Sequence, residues 1–295
     1  MNLFGTFTEK PEKVEGNREA LEEISQEALD KFDALMGDED LEPEHESEKP
    51  EEEETHEPNS KYEIDKDVYE TDDTGKTYKK NGQLLPNMEY TIHGNTYRTD
   101  KDGNLVSCDS EPKYTEDNTR NQKEQRESGG DERKEDDDGG HLVARVLGGA
   151  EGLENLVPMR RTINRGDYKI MENEISKALQ DGKKVSMHIE LEYKEGSHRP
   201  SKIKVTYSID GKKTEVVFDN DENSKDLLDV LSQKISDEDH DRLKEQIEDI
   251  EEDGDSVTIT SVKTEYDEDG NPVQVTVGIL NETTGEKTYR TYAAR

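Results

Sequence analysis

Apolar and polar positions change their spacing several times along this chain, and each change marks an element or a boundary. Residues 17–36, NREALEEISQEALDKFDALM, place Leu21, Ile24, Ala28, Phe32 and Leu35 at helical spacing, and Gly37 supplies a stop. A single amphipathic helix must bury its stripe on a partner, on a copy of itself or on the body of the protein. Residues 38–60 come next, dominated by Glu, Asp and Pro. Like charges repel there and little apolar surface compensates, which predicts an acidic disordered linker and the first domain boundary. Its His45 and His56 read as exposed and idle.

From Lys61 the pattern turns to short alternating segments between strong turn signals at Thr74-Gly75, Asn81-Gly82, His93-Gly94 and Asp102-Gly103. Tyr90–Ile92, Thr96–Arg98 and Asn104–Ser107 are predicted to pair across them. Residues 110–137 are polar and charged and read as a long loop that delivers the chain to Asp138. A strand or loop comes next, then a helix from about Asn164 or Asp167 to Leu179, with Tyr168, Met171, Ile175 and Leu179 on its buried stripe. Gly182 ends it. Val185–Tyr193, Lys202–Ser208 and Thr214–Phe218 alternate as strands. Residues 221–295 read as a separate small unit. It holds helices Ser224–Ile235 and Asp237–Ile250, the second opened by Ser236 with Asp239 three residues on. Strands Ser256–Tyr266, Pro272–Leu280 and Lys287–Tyr292 complete it. The expected organisation is thus 1–37 with one amphipathic helix, linker 38–60, a domain over 61–220 with leading β-hairpins, and an α+β unit of unassigned role over 221–295. The expected fold class is α+β.

Composition adjusts this picture. Of 295 residues 27% are apolar and 39% charged, with a net charge of −35. Such a chain cannot bury a core along its full length, so part of it is expected to stay disordered. Cys108 stands alone, which excludes an intramolecular disulfide and a cysteine-based zinc site. It reads as a small residue near a strand end. No apolar run approaches the roughly 20 residues that span a bilayer, so no membrane insertion is expected. The start, MNLFGTFTEKPEK, shows no basic region followed by an apolar core, hence no cleavable signal peptide and a cytoplasmic location as synthesised. The acidity argues against a phosphate-binding protein until its distribution is considered. Between His141 and Asp219 there are 14 Lys or Arg against 12 Asp or Glu, so the negative charge lies elsewhere.

That balanced segment carries the candidate chemistry. DGGH at Asp138–His141 is followed by Asn155, by Asn164 nine residues later and by Glu172 eight further on. An unperturbed histidine titrates near pH 6.5, so at neutral pH it can take a proton from water. The two glycines let the backbone bend sharply or pass close to a substrate. An asparagine carbonyl is a neutral oxygen ligand for a hard divalent ion, which keeps most of its waters and takes few protein ligands. It leaves the ion's charge available to polarise a phosphate. With Asn164 inside the helix, Asn164, Tyr168 and Glu172 would share one face, and Glu172 could accept hydrogen bonds from the ion's waters. Taken singly, DGGH is a turn with a satisfied histidine and Glu172 a solvated helix residue. The ordered set is what carries information.

The wording around these positions, GGHLVARVLGG, EGLENLVPM and INRGDYKIMENE, resembles the DNA/RNA non-specific endonuclease family, a group of ββα-metal (His-Me finger) nucleases. Within it the sequence is most similar to the bacterial nuclease toxins associated with type VII secretion. LLPNMEYTIHGNTYRTDKDGN also resembles the leader hairpin of that branch, so the likeness spans about Leu84–Asn220. It implies a ββα-metal core and metal-dependent, sequence-nonspecific hydrolysis of DNA or RNA with Mg²⁺ or Mn²⁺. It further implies the toxic module of a bacterial effector, a specialised secretion route and an immunity protein as partner. Residue by residue, it makes His141 the general base, Asn164 the metal ligand, Asn155 a supporting asparagine and Glu172 the glutamate near the metal.

One position departs: the broader family carries an arginine between the Asp and Gly of the motif, where this chain, like the toxin branch, has Gly139. The cation facing the transition state is then unassigned, with Arg126, Arg145, Arg165 and Lys169 as candidates and Arg120 behind them. Each of these also reads as an ordinary surface charge. Tyr69-x3-Asp73 fits the short export pattern of type VII substrates, one that arises often by chance. The rival to an enzyme is a degenerate or self-inhibited nuclease-like binding protein whose acidic region mimics nucleic acid.

A polyanion tethered beside a near-neutral nuclease segment gains an effective concentration of roughly mM, enough for feeble attraction to compete with substrate. Such attraction fades as the Debye length falls to about 8 Å at physiological salt. Deleting residues 1–60 is therefore expected to speed cleavage at low salt and change little at high salt. Equal rates at low salt would leave the tail as a spacer.

Overall fold

A period of two in the hydrophobic pattern dominates the computed structural model, which describes residues 56–116, 119, 121–221 and 224–295. The amphipathic stretch 17–36 and all of the acidic linker before His56 lie outside the described residues. Strands β1 (Lys61–Ile64), β2 (Asp67–Thr71), β3 (Thr77–Lys80) and β4 (Gln83–Leu84) make a four-stranded antiparallel sheet in sequence order. A nine-stranded antiparallel sheet collects β5 (Glu89–Ile92), β6 (Asn95–Thr99), β7 (Leu105–Ser110), β10 (Val185–Tyr193), β11 (Pro200–Ile209) and β12 (Lys212–Asp219). Strands β13 (Val257–Tyr266), β14 (Pro272–Asn281) and β15 (Lys287–Ala293) complete it, in the order β15-β14-β13-β12-β11-β10-β7-β6-β5. In β10, Val185, Met187, Ile189 and Leu191 are buried while Ser186, Glu190 and Glu192 are exposed, the alternation of a strand with one face on a core.

Everything between β7 and β10 is an insertion at the middle of this sheet. It comprises helix α1 (Gln122–Glu127), β8 (Asp137–His141), β9 (Leu156–Arg160), an irregular turn Ile163–Asp167 and helix α2 (Tyr168–Gln180). Among the described residues β8 and β9 pair only with each other, His141 opposite Leu156 and Asp137 opposite Arg160. Tyr168, Met171, Ile175 and Ala178 of α2 join the β10 and β11 side chains, Leu142, Val143 and Phe218 in one core.

Four expectations change. First, residues 110–137 are not all loop. Asn121 caps α1 by accepting from the Glu124 amide at 3.1 Å. The helix QKEQRE has no apolar residue, so periodicity could not reveal it; a buried cluster holds it instead. Lys79 of β3, 3% exposed, reaches Glu124 at 3.3 Å and Glu154 at 3.1 Å, and Glu124 also accepts from the Leu153 amide at 2.6 Å. Second, the acidic linker does not extend to residue 60. The His56 amide donates to Gly75 O at 2.9 Å and the Asn59 amide to Asp72 O at 2.9 Å, and the His56 ring lies 3.9 Å from that of Tyr62.

Third, residues 221–295 form a second core that takes in Val217 of β12, and they have no sheet of their own. Leu227, Leu231 and Ile235 pack with Leu243, Ile247, Ile259 and Val275, on and between helices α3 (Ser224–Ser232) and α4 (Asp237–Glu252) and strands β13 and β14. Yet β13 pairs with β12 from Thr214↔Glu265 to Phe218↔Ser261, which carries the sheet across the expected boundary. The reading of Ser236 as a cap holds: its side chain accepts from the Asp239 amide at 3.1 Å. Fourth, regular helix begins at Tyr168. Asn164 sits in the preceding π-type turn, interrupted at Gly166 (φ −106°, ψ −108°).

Cys108 is fully buried in β7, and burial pushes its thiol up to about 12, as expected of an inert core cysteine. Among the described residues no helix is long and apolar enough to cross a membrane.

Candidate active site

His141 ends β8, and the loop that leaves it is fixed by a buried asparagine. Asn155, 0% exposed, accepts from the Val143 amide at 2.9 Å and donates from Nδ2 to Val143 O and Ala150 O, both at 2.8 Å. Its own carbonyl takes the Leu142 amide at 2.9 Å. Both of its N–H donors and its carbonyl oxygen bind the backbone of the loop after His141, and Asn155 is not among the residues lining the cavity. Tyr168 adds a second tie, its hydroxyl donating to Leu142 O at 2.7 Å. Its burial matches the expected stripe, while the kink at Gly166 takes Asn164 off the helix face on which it was expected with Tyr168 and Glu172.

Asp138 organises the opposite side. Its Oδ2 accepts from Asn164 Nδ2 at 3.0 Å, and Arg165 forks onto both oxygens at 2.7 and 2.8 Å, with Arg161 at 3.7 Å. Partial burial alone would raise the Asp138 pKa, but the hydrogen bonds from Arg165 and Asn164 and the nearby charges hold it below the usual carboxylate value. Because the amide nitrogen of Asn164 is committed to Asp138, its carbonyl oxygen is turned away from that carboxylate. Asp138 was legible only as a letter of the motif; its grip on the Asn164 turn was not.

His141, Asn164 and Glu172 line one cavity of about 600 Å³, together with Gln122, Gln125, Arg126, Arg133, Asp138, Arg145, Arg165 and Lys169. Three of the four residues expected to act together therefore meet, and the fourth, Asn155, stands behind them. Glu172 accepts from Lys169 at 3.1 Å on the same helix. Five basic side chains against two acidic ones make the cavity locally cationic in a chain of net charge −35.

The basic residues are not equivalent. Arg145 is 7% exposed and its guanidinium donates to Gly149 O and to Thr119 O and Oγ1, the last two at 3.1 Å, so it braces the loop. Arg133, which the sequence did not single out, donates to Gln125 O and to Asp137 O at 2.7 Å and staples α1 to β8. Arg165 is engaged by Asp138. Arg126, in the last turn of α1, is exposed and borders the cavity. Arg120 lies outside the described residues.

A metal of the kind the resemblance implies can be tested against these donors. Among the described residues no three His, Cys, Asp or Glu side chains converge to cage an ion. The available donors are the amide oxygen of Asn164 and the carboxylate of Glu172, beside anionic Asp138. A sparse oxygen set fits a hard ion that retains its waters and is completed by phosphate oxygens, as Mg²⁺ and Mn²⁺ do.

Comparison with known proteins places part of the chain beside a nuclease family. Residues 86–211 match the family model described as DNA/RNA non-specific endonuclease. Over 168 residues the chain is 35% identical to the type VII secretion system protein EssD of Staphylococcus aureus, in strains USA300 and NCTC 8325 / PS 47 alike. That covers 54% of this chain and 27% of the relative, so the chain spans about a quarter of the length of the curated relatives it matches.

At Gly139, where the resemblance leads to the expectation of an arginine, the fold leaves no room for a side chain. A Cβ there would lie 2.7 Å from Gln125 Cα, inside the backbone of α1. Restoring the family residue with Gly139→Arg is therefore expected to displace α1, lower the unfolding free energy by about 1–3 kcal/mol or more, and reduce activity. Chemical denaturation with a parallel cleavage assay measures both, and a stable, more active variant would show the packing against Gln125 to be dispensable.

Proposed function

We propose that this chain, whose residues 86–211 match the DNA/RNA non-specific endonuclease model, is a metal-dependent phosphodiester hydrolase acting on DNA or RNA without sequence readout. The observation that carries the reading is the single cavity that gathers His141, Asn164 and Glu172 inside a ring of cations. In this reading β8, β9 and α2 form the ββα-metal finger.

His141 accepts the proton of the attacking water, held in place by the Asn155 clamp on the next residues. Asn164 would hold the divalent ion through its carbonyl oxygen, and Glu172 would accept hydrogen bonds from the ion's waters. When bound, that ion supplies Lewis-acid charge to the phosphate and to the departing oxygen. Arg126 faces the charge of the transition state; of the cavity's arginines it alone combines an exposed guanidinium with a place on the rim opposite no carboxylate partner among the described residues. Arg165 and Lys169 lend field and substrate affinity. Contacts of this kind go to phosphates, which position a nucleic acid without reading its bases.

The relatives are named as type VII secretion proteins, and the Tyr69-x3-Asp73 pattern is present in this chain. We extend the proposal to export by such a system, a toxic role and neutralisation by an immunity protein in the producing cell.

A plasmid-nicking assay with Mg²⁺ and with EDTA tests the core of this reading. Cleavage that EDTA abolishes supports it, and retention of DNA without cleavage would favour a nucleic-acid-binding protein instead. His141→Ala should lower the rate by at least ~10²-fold while leaving nucleic-acid affinity and thermal stability nearly unchanged. Parental rates in that variant would remove His141 from the mechanism.

The two metal-side residues should separate in titrations. Asn164→Ala is expected to raise the Mg²⁺ or Mn²⁺ concentration for half-maximal activity more than Glu172→Gln, because the first contacts the ion and the second its waters. Equal losses of metal affinity would instead make the glutamate a direct ligand.

A further inference from the structure

The turn Ile163–Asp167 has to present Asn164 without the support of a regular helix, since Gly166 breaks the ladder of backbone hydrogen bonds. Its last residue, Asp167, is 7% exposed, and among the described residues its three side-chain contacts lie outside the insertion that contains it. Thr260 Oγ1 of β13 donates to Asp167 Oδ2 at 2.7 Å, and Lys287 Nζ at the start of β15 pairs with the same oxygen at 2.8 Å. The Tyr289 hydroxyl of β15 donates to Oδ1 at 2.7 Å. A buried carboxylate with a cation and two hydroxyls around it is fixed in direction as well as in charge. The fit is close. A Cβ on Gly166 would stand 3.2 Å from Lys287 Nζ, and one on Gly278 of β14 would stand 3.0 Å from Asp167 Oδ2.

The other end of the same connection is tied the same way. Arg160, the last residue of β9 and 2% exposed, donates to Glu282 Oε1 at 2.8 Å, just beyond β14. The segment that joins β9 to α2 is thus held at Arg160 and at Asp167 by residues between 260 and 289. All of these lie outside the matched endonuclease region.

We propose that strands β13–β15 are a positioning element of the active site, holding the Asn164 turn through the Thr260–Lys287–Tyr289 cradle around Asp167. This rests on the nuclease reading above, and it gives the C-terminal segment a role in metal affinity rather than in substrate choice or partner binding. Asp167 and its three partners are positioning residues; they touch neither substrate nor ion. Asn164 is clamped from two sides, by Asp138 directly and by Asp167 through the backbone of the turn.

The test uses the full chain with Lys287→Met, Lys287→Arg, Tyr289→Phe and, as control, Thr291→Val. Thr291 lies on β15 but faces Thr276 and not Asp167. Tyr289 is 44% exposed, so Tyr289→Phe removes one hydrogen bond with little risk to folding. Two readouts are taken: Mn²⁺ binding by electron paramagnetic resonance, without nucleic acid, and amide hydrogen exchange over residues 163–168. Lys287→Met should weaken Mn²⁺ binding about 10-fold, the usual effect of losing a group that orients a metal ligand, and should speed exchange in the turn. Tyr289→Phe should do both to a smaller degree, Lys287→Arg should recover most of the affinity, and Thr291→Val should match the parent. A parent that binds Mn²⁺ with variants equal to it in affinity and exchange overturns this proposal alone. A parent that binds no Mn²⁺ and cuts no DNA overturns the nuclease reading and this proposal with it.

Discussion

A two-stranded ribbon has little stability of its own, and the candidate site is built on one. Among the described strands β8 and β9 pair with no third, yet His141 must stand at the end of β8 and Asn164 just past the end of β9. The ribbon is therefore fastened by buried polar side chains. Asp137, at its start, is gripped by Arg199 through two hydrogen bonds of 2.7 Å. The free edge of β9 meets the Asn220 side chain, which accepts from the Arg160 amide at 2.8 Å and donates to Pro158 O at 2.9 Å. A side-chain amide here does what a neighbouring strand would do for the orphan backbone groups. Asn155 then holds the chain after His141, and Asp138 and Asp167 hold the turn around Asn164. Of these groups, those that are buried would be costly to bury alone and have their partners in place, while Asp138 is partly buried and held by Asn164 and Arg165.

The same pairing accounts for the charge. A net charge of −35 is hostile to a polyanionic substrate, and at physiological salt exposed charges beyond about 8 Å are largely screened. What a phosphate meets is the local field, and the cavity lining is dominated by Arg and Lys. Several acids near the site are engaged by neighbours. Glu124 and Glu154 pair with buried Lys79, Asp137 with Arg199, and Asp167 with Lys287. Those pairs fix geometry and keep acidic groups from facing the substrate.

The sequence made the strands and the core residues of the site readable, for different reasons. Strands such as Val185–Tyr193 showed because one face is buried and the alternation is regular. His141, Asn164 and Glu172 showed because they sit in a run of resembling words. Helix α1 did not, since QKEQRE has no apolar face and is held through Glu124 by residues 45 and 29 positions away. The Asp167 cradle could not be read either, because Thr260 and Tyr289 lie 93 and 122 residues along the chain. The boundary placed at residue 220 rested on a change of pattern into helices. The sheet nevertheless continues past it, because pairing of β12 with β13 spans a helical excursion that sequence spacing does not predict.

Gly139 and helix α1 are one adaptation and not two. An arginine at position 139 would occupy the space where the Gln125 backbone runs, so the glycine is what lets α1 close over β8. The helix that excludes that side chain also carries Arg126 to the rim of the cavity, and Arg133 staples the two elements together through Gln125 O and Asp137 O. In the proposed mechanism the cation comes from α1, one residue beyond the Gln125 contact that excludes a side chain at position 139. The arrangement makes the leader sheet part of the site as well. Lys79 of β3 anchors Glu124, two residues before Arg126, so the position of the proposed catalytic cation depends on a buried ion pair with a strand outside the ββα unit. A nuclease read only from its motif would place all of its chemistry between His141 and Glu172. In this chain the geometry of that stretch is set from both sides, by β3 and α1 before it and by β13–β15 after it.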